Sequence, residues 1–308
     1  MRAEFAQELT EFAERDPRIV LLTGDLGFTV WEDFAERHPG RFFNVGVAEQ
    51  NMLGLATGLA EAGYVPFAYS IATFASMRPY EFLRNGAVLH RLPVRLVGVG
   101  AGFDYGPNGV THYALEDVGL MRLQPDLSIL TPADPAQCMA AVRSTGDIDG
   151  PLYFRLGRAS EPVIGLGGRF SLGHLDLIGE GSDVALIALG TMAGEAVAAA
   201  DELAVDGIDA TVAVVSNLSP APVADIQALV ERVSLTVTVE GHYVVGGIGS
   251  LVAEVMAETG GQGRLVRAGV REMPRGETGS SGFLNARHAI DAASLTQVVR
   301  KTLVRTEG

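Results

Sequence analysis

Short, uninterrupted apolar runs recur along the chain and alternate with segments that have the polar and apolar spacing of helices. Early examples of these runs are residues 19–22, 65–69 and 94–99. A strand that is apolar at every position has to be covered on both faces, and parallel strands need a crossover connection between them, usually a helix. The pattern therefore predicts an α/β fold with mostly parallel sheets.

A stretch rich in glycine and proline, residues 161–173, divides this alternation into two halves. The predicted strands are residues 19–22, 42–45, 65–69, 94–99, 127–130 and 152–155 in the first half and residues 184–189, 210–215, 235–239 and 265–268 in the second. A chain of 308 residues has room for about two domains. We predict two parallel-sheet α/β domains, residues 1–165 and residues 175–308.

Composition excludes several classes of protein. A net charge of -14 argues against nucleic acid binding, because no basic face is available to displace phosphate counterions. The single cysteine, Cys138, excludes an internal disulfide and a cysteine-based metal site. No apolar run approaches a membrane span, and Phe5, Leu9 and Phe12 give the N-terminus the face of an amphipathic helix rather than a secretory signal. We expect a cytoplasmic protein that does not bind membranes.

One charged residue stands where a predicted strand gives way to a predicted helix at residues 48–62. This residue is Glu49, and its neighbours Val47 and Met52 are apolar, so we expect a desolvated carboxyl group. An acid in the first turn of a helix often does no more than complement the helix dipole. A role in chemistry is favoured by other polar residues that also follow predicted strands, because the carboxyl ends of parallel strands share one edge of the sheet.

Further candidates lie at the same predicted edge. Asp25 follows the first strand, and Phe74, Met77 and Tyr80 follow the strand at 65–69, where they suit either core packing or a clamp for a flat ring. Asn108 and His112 lie in a glycine-bearing loop, where polar side chains can face a ligand. Arg155 and Arg158 end the strand at 152–155 and could bind a phosphate or carboxylate, although a structural role suits them equally. A helix is predicted at residues 78–90.

Six short motifs, in this order, resemble the C-terminal half of transketolases: TGDL, GVAEQNMLGLATGLAEAG, ATFASMRPYE, GPNGVTHYALED, TPAD and YFRLGR. The resemblance extends over essentially the whole chain and is greatest to the separate C-terminal subunit of split transketolases. It is weaker to 1-deoxyxylulose-5-phosphate synthases and to the β subunit of oxo-acid dehydrogenases. It implies a pyrimidine-binding domain followed by a transketolase C-terminal domain.

The resemblance also implies roles for individual residues around thiamine diphosphate. Glu49 matches the glutamate that bonds N1′ of the aminopyrimidine and favours the imino tautomer, whose 4′-nitrogen removes the thiazolium C2 proton. His112 matches a histidine that contacts the substrate oxygen and assists proton transfer. The other implied cofactor contacts are Asp25, Phe74, Met77 and Tyr80. The implied substrate contacts are Arg2, Thr29, Asn108, His112 and Arg158, of which Arg158 matches a phosphate-binding arginine.

Two positions depart from sugar-phosphate transketolases. Asn108 stands where an aspartate usually reads a substrate hydroxyl, and Gly100 stands where many members carry a second histidine. Both departures favour a specialised ketol transfer.

The GDG motif that holds the diphosphate and Mg²⁺ in such enzymes does not occur in these 308 residues, and no other metal-ligand cluster is evident. We therefore expect the Mg²⁺ ligands on an N-terminal partner subunit that carries GDG, in a heterodimer that doubles to an α2β2 heterotetramer acting on small sugar phosphates. The leading hypothesis is transfer of a two-carbon ketol unit between a ketose and an aldehyde. Decarboxylating carboligation, as in 1-deoxyxylulose-5-phosphate synthase, and a non-catalytic scaffold subunit remain as alternatives.

Overall fold

A computed structural model of the chain describes residues 1–158 and 161–304. The first half builds most of a seven-stranded sheet and the second half a five-stranded sheet. Strands of the first half are β1 Ile19–Thr23, β2 Phe42–Asn44, β3 Val65–Ile71, β4 Arg95–Val99, β5 Ser128–Leu130 and β6 Leu152–Leu156. Its helices are α1 Arg2–Arg15, α2 Glu32–Arg37, α3 Glu49–Glu61, α4 Ala72–Met77, α5 Tyr80–Phe82, α6 Asp117–Arg122 and α7 Pro135–Ser144.

The second half alternates strands and helices in the same way. Its strands are β7 Asp176–Ile178, β8 Val184–Leu189, β9 Ala210–Val215, β10 Asn217–Ser219, β11 Leu235–Tyr243 and β12 Arg264–Val270. Its helices are α8 Ala193–Val205, α9 Val223–Arg232, α10 Ile248–Thr259, α11 Ser281–Arg287 and α12 Ala292–Leu303. None of the helices in the described ranges has both the length and the apolar character needed to cross a membrane.

Both sheets are parallel except at one edge strand. The strand order is β10-β5-β6-β4-β3-β1-β2 in the larger sheet and β12-β11-β8-β9-β7 in the smaller. Strand β10 runs antiparallel to β5, and β7 runs antiparallel to β9. The predicted α/β fold class with mostly parallel sheets is confirmed, and the antiparallel pairs are confined to one edge of each sheet.

Each face of the larger sheet is covered by helices, as its apolar strands predict. Helices α1 and α7 bury Phe5, Leu9 and Cys138 against one face, so the predicted amphipathic N-terminal helix is confirmed. On the other face, Met52 and Leu53 of α3 belong to a core cluster that continues into the second half of the chain. The two sheets are therefore packed together through a shared apolar core.

The helix predicted at residues 78–90 is wrong at its start. Helix α4 begins at Ala72, directly after β3, and is followed by Pro79, α5 and a π-helical segment, Leu83–Val88. Proline lacks the backbone N–H that would continue the ladder, which accounts for the break. Helices α2 and α11 and the strands β7 and β10 were not predicted, because each is too short to establish a period.

A buried ion pair in the first half of the chain also bonds to the second half. Asp117 accepts hydrogen bonds from Arg155 Nε and from the Tyr153 hydroxyl, both at 2.8 Å. Arg155 Nη2 also donates to the carbonyl of Gly241 in the second half at 2.9 Å. Arg155 is thus buried and engaged by protein groups, so of the two roles left open by the sequence the structure shows the structural one.

Glu240 is a second buried acid, on β11 beneath the start of α10. Its Oε1 accepts a hydrogen bond from Gly249 N–H at 3.2 Å, and burial raises the pKa of its carboxyl from 4.5 to about 8. Between pH 4.5 and about pH 8, Glu240 keeps its proton in the folded chain and loses it in the unfolded chain. Stability therefore falls as the pH rises through this window, by up to about 1.4 kcal/mol per pH unit.

The variant Glu240→Gln is expected to lose this dependence, because glutamine keeps the shape of the side chain without ionising. Unfolding midpoints in urea between pH 5 and pH 8 check the effect: the stability of the variant relative to the natural chain should rise with pH. Glu258→Gln, an exposed change on the helix α10 that lies over Glu240, is the matched control. Parallel pH profiles for Glu240→Gln and the natural chain would contradict a protonated buried Glu240.

Candidate active site

Glu49 begins α3 and is buried, with 2% of its side chain exposed. Its Oε1 accepts a hydrogen bond from the Ser70 hydroxyl at 3.1 Å, and its Oε2 accepts one from Arg78 Nη1 at 2.7 Å. Both partners come from the neighbouring strand β3 and the segment after it. The expected desolvation is confirmed. The recorded side-chain hydrogen bonds of Glu49 run to the edge of the sheet and do not cap its own helix.

Arg78 lies between Glu49 and an aromatic ring. Its guanidinium carbon is 3.8 Å from the centroid of the Phe74 ring, within cation–π range. The side chain of Arg78 remains 42% exposed. The sequence offered a signal for this contact, since Arg78 follows Phe74 by four positions, which places the two side chains on one face of a helix.

The contacts continue from Phe74 along the edge of the sheet. The rings of Phe74 and His112 meet edge to face with centroids 5.2 Å apart, and the ring of Tyr105 is 6.2 Å from that of His112. Arg158 lies over Tyr105, with its guanidinium carbon 5.0 Å from the ring centroid. We call these residues the rim row: Glu49, Arg78, Phe74, His112, Tyr105 and Arg158. It brings together four predicted site residues, and sequence reasoning missed Arg78 and Tyr105.

The position of Tyr105 accounts for the glycine at position 100. Gly100 has φ +91°, and a Cβ atom built there would lie 2.2 Å from atoms of the Tyr105 ring. A histidine at this position would displace that ring. Burial raises the pKa of the Tyr105 hydroxyl, while the nearby Arg158 and Arg2 lower it. The structure thus places Arg2 beside the rim row.

Asp25 and Thr29 lie in the exposed loop after β1, and both have positive φ, at +57° and +66°. The Asp25 N–H donates to Asn44 Oδ1 at 3.0 Å, and Asn44 Nδ2 donates to Asp25 Oδ1 at 2.9 Å. Asn44 Oδ1 also accepts from Gly46 N–H at 3.0 Å, in the turn that leads to Glu49. Left-handed backbone is uncommon for such residues and often accompanies functional loops.

The remaining predicted residues have separate surroundings. Met77 is partly exposed, and its sulfur lies 3.9 Å from Thr73 Oγ1. The Tyr80 hydroxyl donates to the carbonyl of Leu120 in α6 at 2.9 Å. Asn108 is exposed in a single turn of 3-10 helix. The side-chain hydrogen bonds described for Met77 and Tyr80 do not run to the rim row, whereas the Asn108 backbone N–H donates to the carbonyl of Tyr105 at 2.8 Å.

Two consecutive parts of the sequence match the models of two protein families. Residues 1–162 match "Transketolase, pyrimidine binding domain", and residues 173–295 match "Transketolase, C-terminal domain". The chain belongs to the transketolase family.

Two relatives and one solved structure show where this transketolase chain falls in the family. The putative transketolase C-terminal section of Methanocaldococcus jannaschii is 33% identical over 307 residues, 98% of this chain and 96% of that protein. A 6-deoxy-6-sulfo-D-fructose transketolase subunit of Clostridium sp. (strain MSTE9) is 36% identical over 309 residues, 99% of this chain and 95% of that protein. A structure described as split gene transketolase, inactive beta4 tetramer, is 36% identical and covers 98% of both chains with a TM-score of 0.89.

Transketolases use thiamine diphosphate, and the rim row fits one end of this cofactor. An aminopyrimidine is flat and needs an acid at its ring nitrogen and an aromatic or apolar face beneath it. Glu49 supplies such an acid and Phe74 such a face. The two lie close together, since the guanidinium of Arg78 pairs with the Glu49 carboxylate and lies over the Phe74 ring. In residues 1–158 and 161–304, no group of three or more His, Cys, Asp or Glu side chains is arranged to hold a metal ion.

Proposed function

We propose that the chain is the pyrimidine-binding, C-terminal subunit of an enzyme that transfers a two-carbon ketol unit from a phosphorylated ketose to an aldehyde acceptor. The observation that carries this proposal is the rim row itself. It starts at a buried acid, Glu49, passes the ring face of Phe74 and the imidazole of His112, and ends at an exposed cation, Arg158. That order suits a cofactor at one end and an anionic substrate group at the other.

Each side chain of the row has a role in this proposal. Glu49 would hold N1′ of the aminopyrimidine through a shared proton, with Phe74, Met77 and Tyr80 forming the surroundings of the ring and Asp25 lying near it. When bound, thiamine diphosphate supplies the nucleophilic carbon and accepts the electron pair of the broken bond. His112 would transfer a proton at the substrate oxygen. Arg158, with Arg2, would bind the phosphate by charge-assisted hydrogen bonds, and Thr29 and Asn108 would contact the sugar.

We further propose an N-terminal partner subunit that bears the GDG motif and the Mg²⁺ ligands, in an α2β2 heterotetramer located in the cytoplasm. The absence of GDG from these 308 residues supports this proposal. The names of similar proteins support it too, since they describe a C-terminal section, a subunit and an inactive beta4 tetramer. The Tyr105 ring beside Gly100 supports a substrate other than the usual pentose phosphates.

The test is recovery of the chain from its native lysate, followed by titration of thiamine diphosphate and Mg²⁺. We expect a GDG-bearing subunit to be recovered with the chain, and the pair to bind the cofactor while the purified chain alone does not. Tight binding by the chain alone would contradict the partner proposal. Absence of binding by both would contradict the catalytic proposal and favour a scaffold.

Substrate assays on the recovered pair separate the two kinds of carboligation. We expect turnover with fructose 6-phosphate or a sulfonated ketose as donor, because the arginines at the end of the row suit an anionic group. Turnover with pyruvate instead would show the decarboxylating reaction.

A further inference from the structure

The space between Glu49 and Phe74 has two walls, the Glu49 carboxylate and the face of the Phe74 ring. The guanidinium of Arg78 occupies this space. Nη1 of Arg78 lies 2.7 Å from Glu49 Oε2, and the guanidinium carbon lies 3.8 Å from the Phe74 ring centroid. The second distance is close to van der Waals contact between stacked planar groups. A second flat group therefore cannot reach that face of Phe74 or that oxygen of Glu49 until the guanidinium has moved.

The guanidinium and an aminopyrimidine require the same two walls for the same chemical reasons. A guanidinium is planar, delocalised and cationic, and it combines N–H donation to a carboxylate with stacking on an aromatic face. An aminopyrimidine is planar and shares a proton with a carboxyl group through its ring nitrogen. Arg78 thus satisfies the acid and the ring in the way that the cofactor would.

The position of Arg78 allows it to leave. It is the C-cap residue of α4, its side chain is partly exposed, and Pro79 ends the helix immediately after it. Within the described ranges, the recorded side-chain contacts of Arg78 are those with Glu49 and Phe74. Glu49 retains its hydrogen bond from Ser70 when Arg78 moves, so the acid stays positioned.

We propose that Arg78 is a built-in placeholder for the aminopyrimidine ring, which pairs the buried acid in the free subunit and is displaced when the cofactor binds. This inference rests on the proposed function. It has a consequence for affinity: every binding event has to break the contacts of Arg78 with Glu49 and Phe74. The contacts protect a buried carboxylate from being left unpaired before the active site is assembled.

The test compares thiamine diphosphate affinity of the complex formed with the N-terminal subunit, for the natural chain and for the variant Arg78→Ala. We expect the variant to bind about tenfold more tightly, the order given by one partly exposed ion pair and one cation–π contact. Arg78→Lys, which keeps the charge without the planar group, should fall between them. Arg84→Ala, at an exposed arginine in the π-helical segment Leu83–Val88, is the matched control and should bind like the natural chain.

Unchanged or weaker binding by Arg78→Ala would overturn the placeholder while leaving the proposed function standing. No binding by the natural complex would overturn both. Thermal unfolding of the full chain alone gives a second readout that needs no cofactor: Arg78→Ala should lower the melting temperature in the natural chain but not in a Glu49→Gln background. Equal changes in both backgrounds would show that the two residues are not coupled, and would also overturn the inference.

Discussion

Glu49→Gln is expected to lower kcat of the assembled enzyme by at least about 100-fold, the usual loss when a positioned proton-transfer group is removed. Glutamine has the shape of glutamate and its carbonyl can still accept the hydrogen bond from Ser70. It cannot hold a proton that the cofactor ring can share. The variant should therefore assemble and remain folded while losing turnover, which is measured by steady-state kinetics together with the mass of the complex.

Glu61→Gln is the matched control for this experiment. Glu61 is the last residue of the same helix α3 and is exposed, so its replacement should leave both kcat and assembly unchanged. Turnover by Glu49→Gln within about threefold of the natural enzyme would contradict a catalytic role for Glu49. It would favour a scaffold subunit that has kept the fold.

Asp117→Ala is expected to lower the free energy of unfolding by about 3–5 kcal/mol, the range found when one partner of a buried ion pair is removed. Burial acts to raise the pKa of the Asp117 carboxyl, but the Arg155 guanidinium holds it below its usual value. Both side chains are almost completely buried. Without Asp117 the guanidinium would remain buried and retain only carbonyl partners. The change would therefore weaken the contact between the two halves of the chain, since Arg155 also bonds to Gly241. Urea unfolding measures it.

An exposed ion pair in the same half of the chain provides the control. Arg91 and Asp126 are 4.0 Å apart and both are largely exposed, so Asp126→Ala should cost less than about 1 kcal/mol. A loss below about 1 kcal/mol for Asp117→Ala as well would contradict the stabilising role assigned to the buried pair.

The sequence was sufficient for the fold class because the strands are apolar on both faces. Such runs indicate a covered parallel sheet whatever their exact ends. It was insufficient for β7 and β10, which have three residues each and lie at edges, where no alternation can be read. Their pairing depends on which strand is left open after the longer strands have packed, and this is a property of the whole chain.

The candidate site divides in a similar way. The strand-end rule and the family motifs together placed Glu49, Phe74, His112 and Arg158 on one edge, and the structure joins them in the rim row. Arg78 was missed because its partner Glu49 lies 29 positions away in the sequence. The structural role of Arg155 could not be chosen over ligand binding for the related reason that its partner, Asp117, lies 38 positions away. Which side chains become buried and paired across such separations cannot be predicted from the residues next to them in the sequence.

Strand β10 has a consequence for how this protein is made. It follows the last parallel strand of its sheet, β6, by about 60 positions, yet it covers the free edge of β5. During synthesis from the N-terminus, the first sheet stays open at that edge until β9 and the segment after it have emerged. The first domain therefore depends on the C-terminal half to complete its sheet. A chain cut within residues 161–173 would leave β5 as an unpaired edge strand that can pair with other chains. Expression of residues 1–165 alone should therefore yield aggregates unless residues 217–219 are supplied.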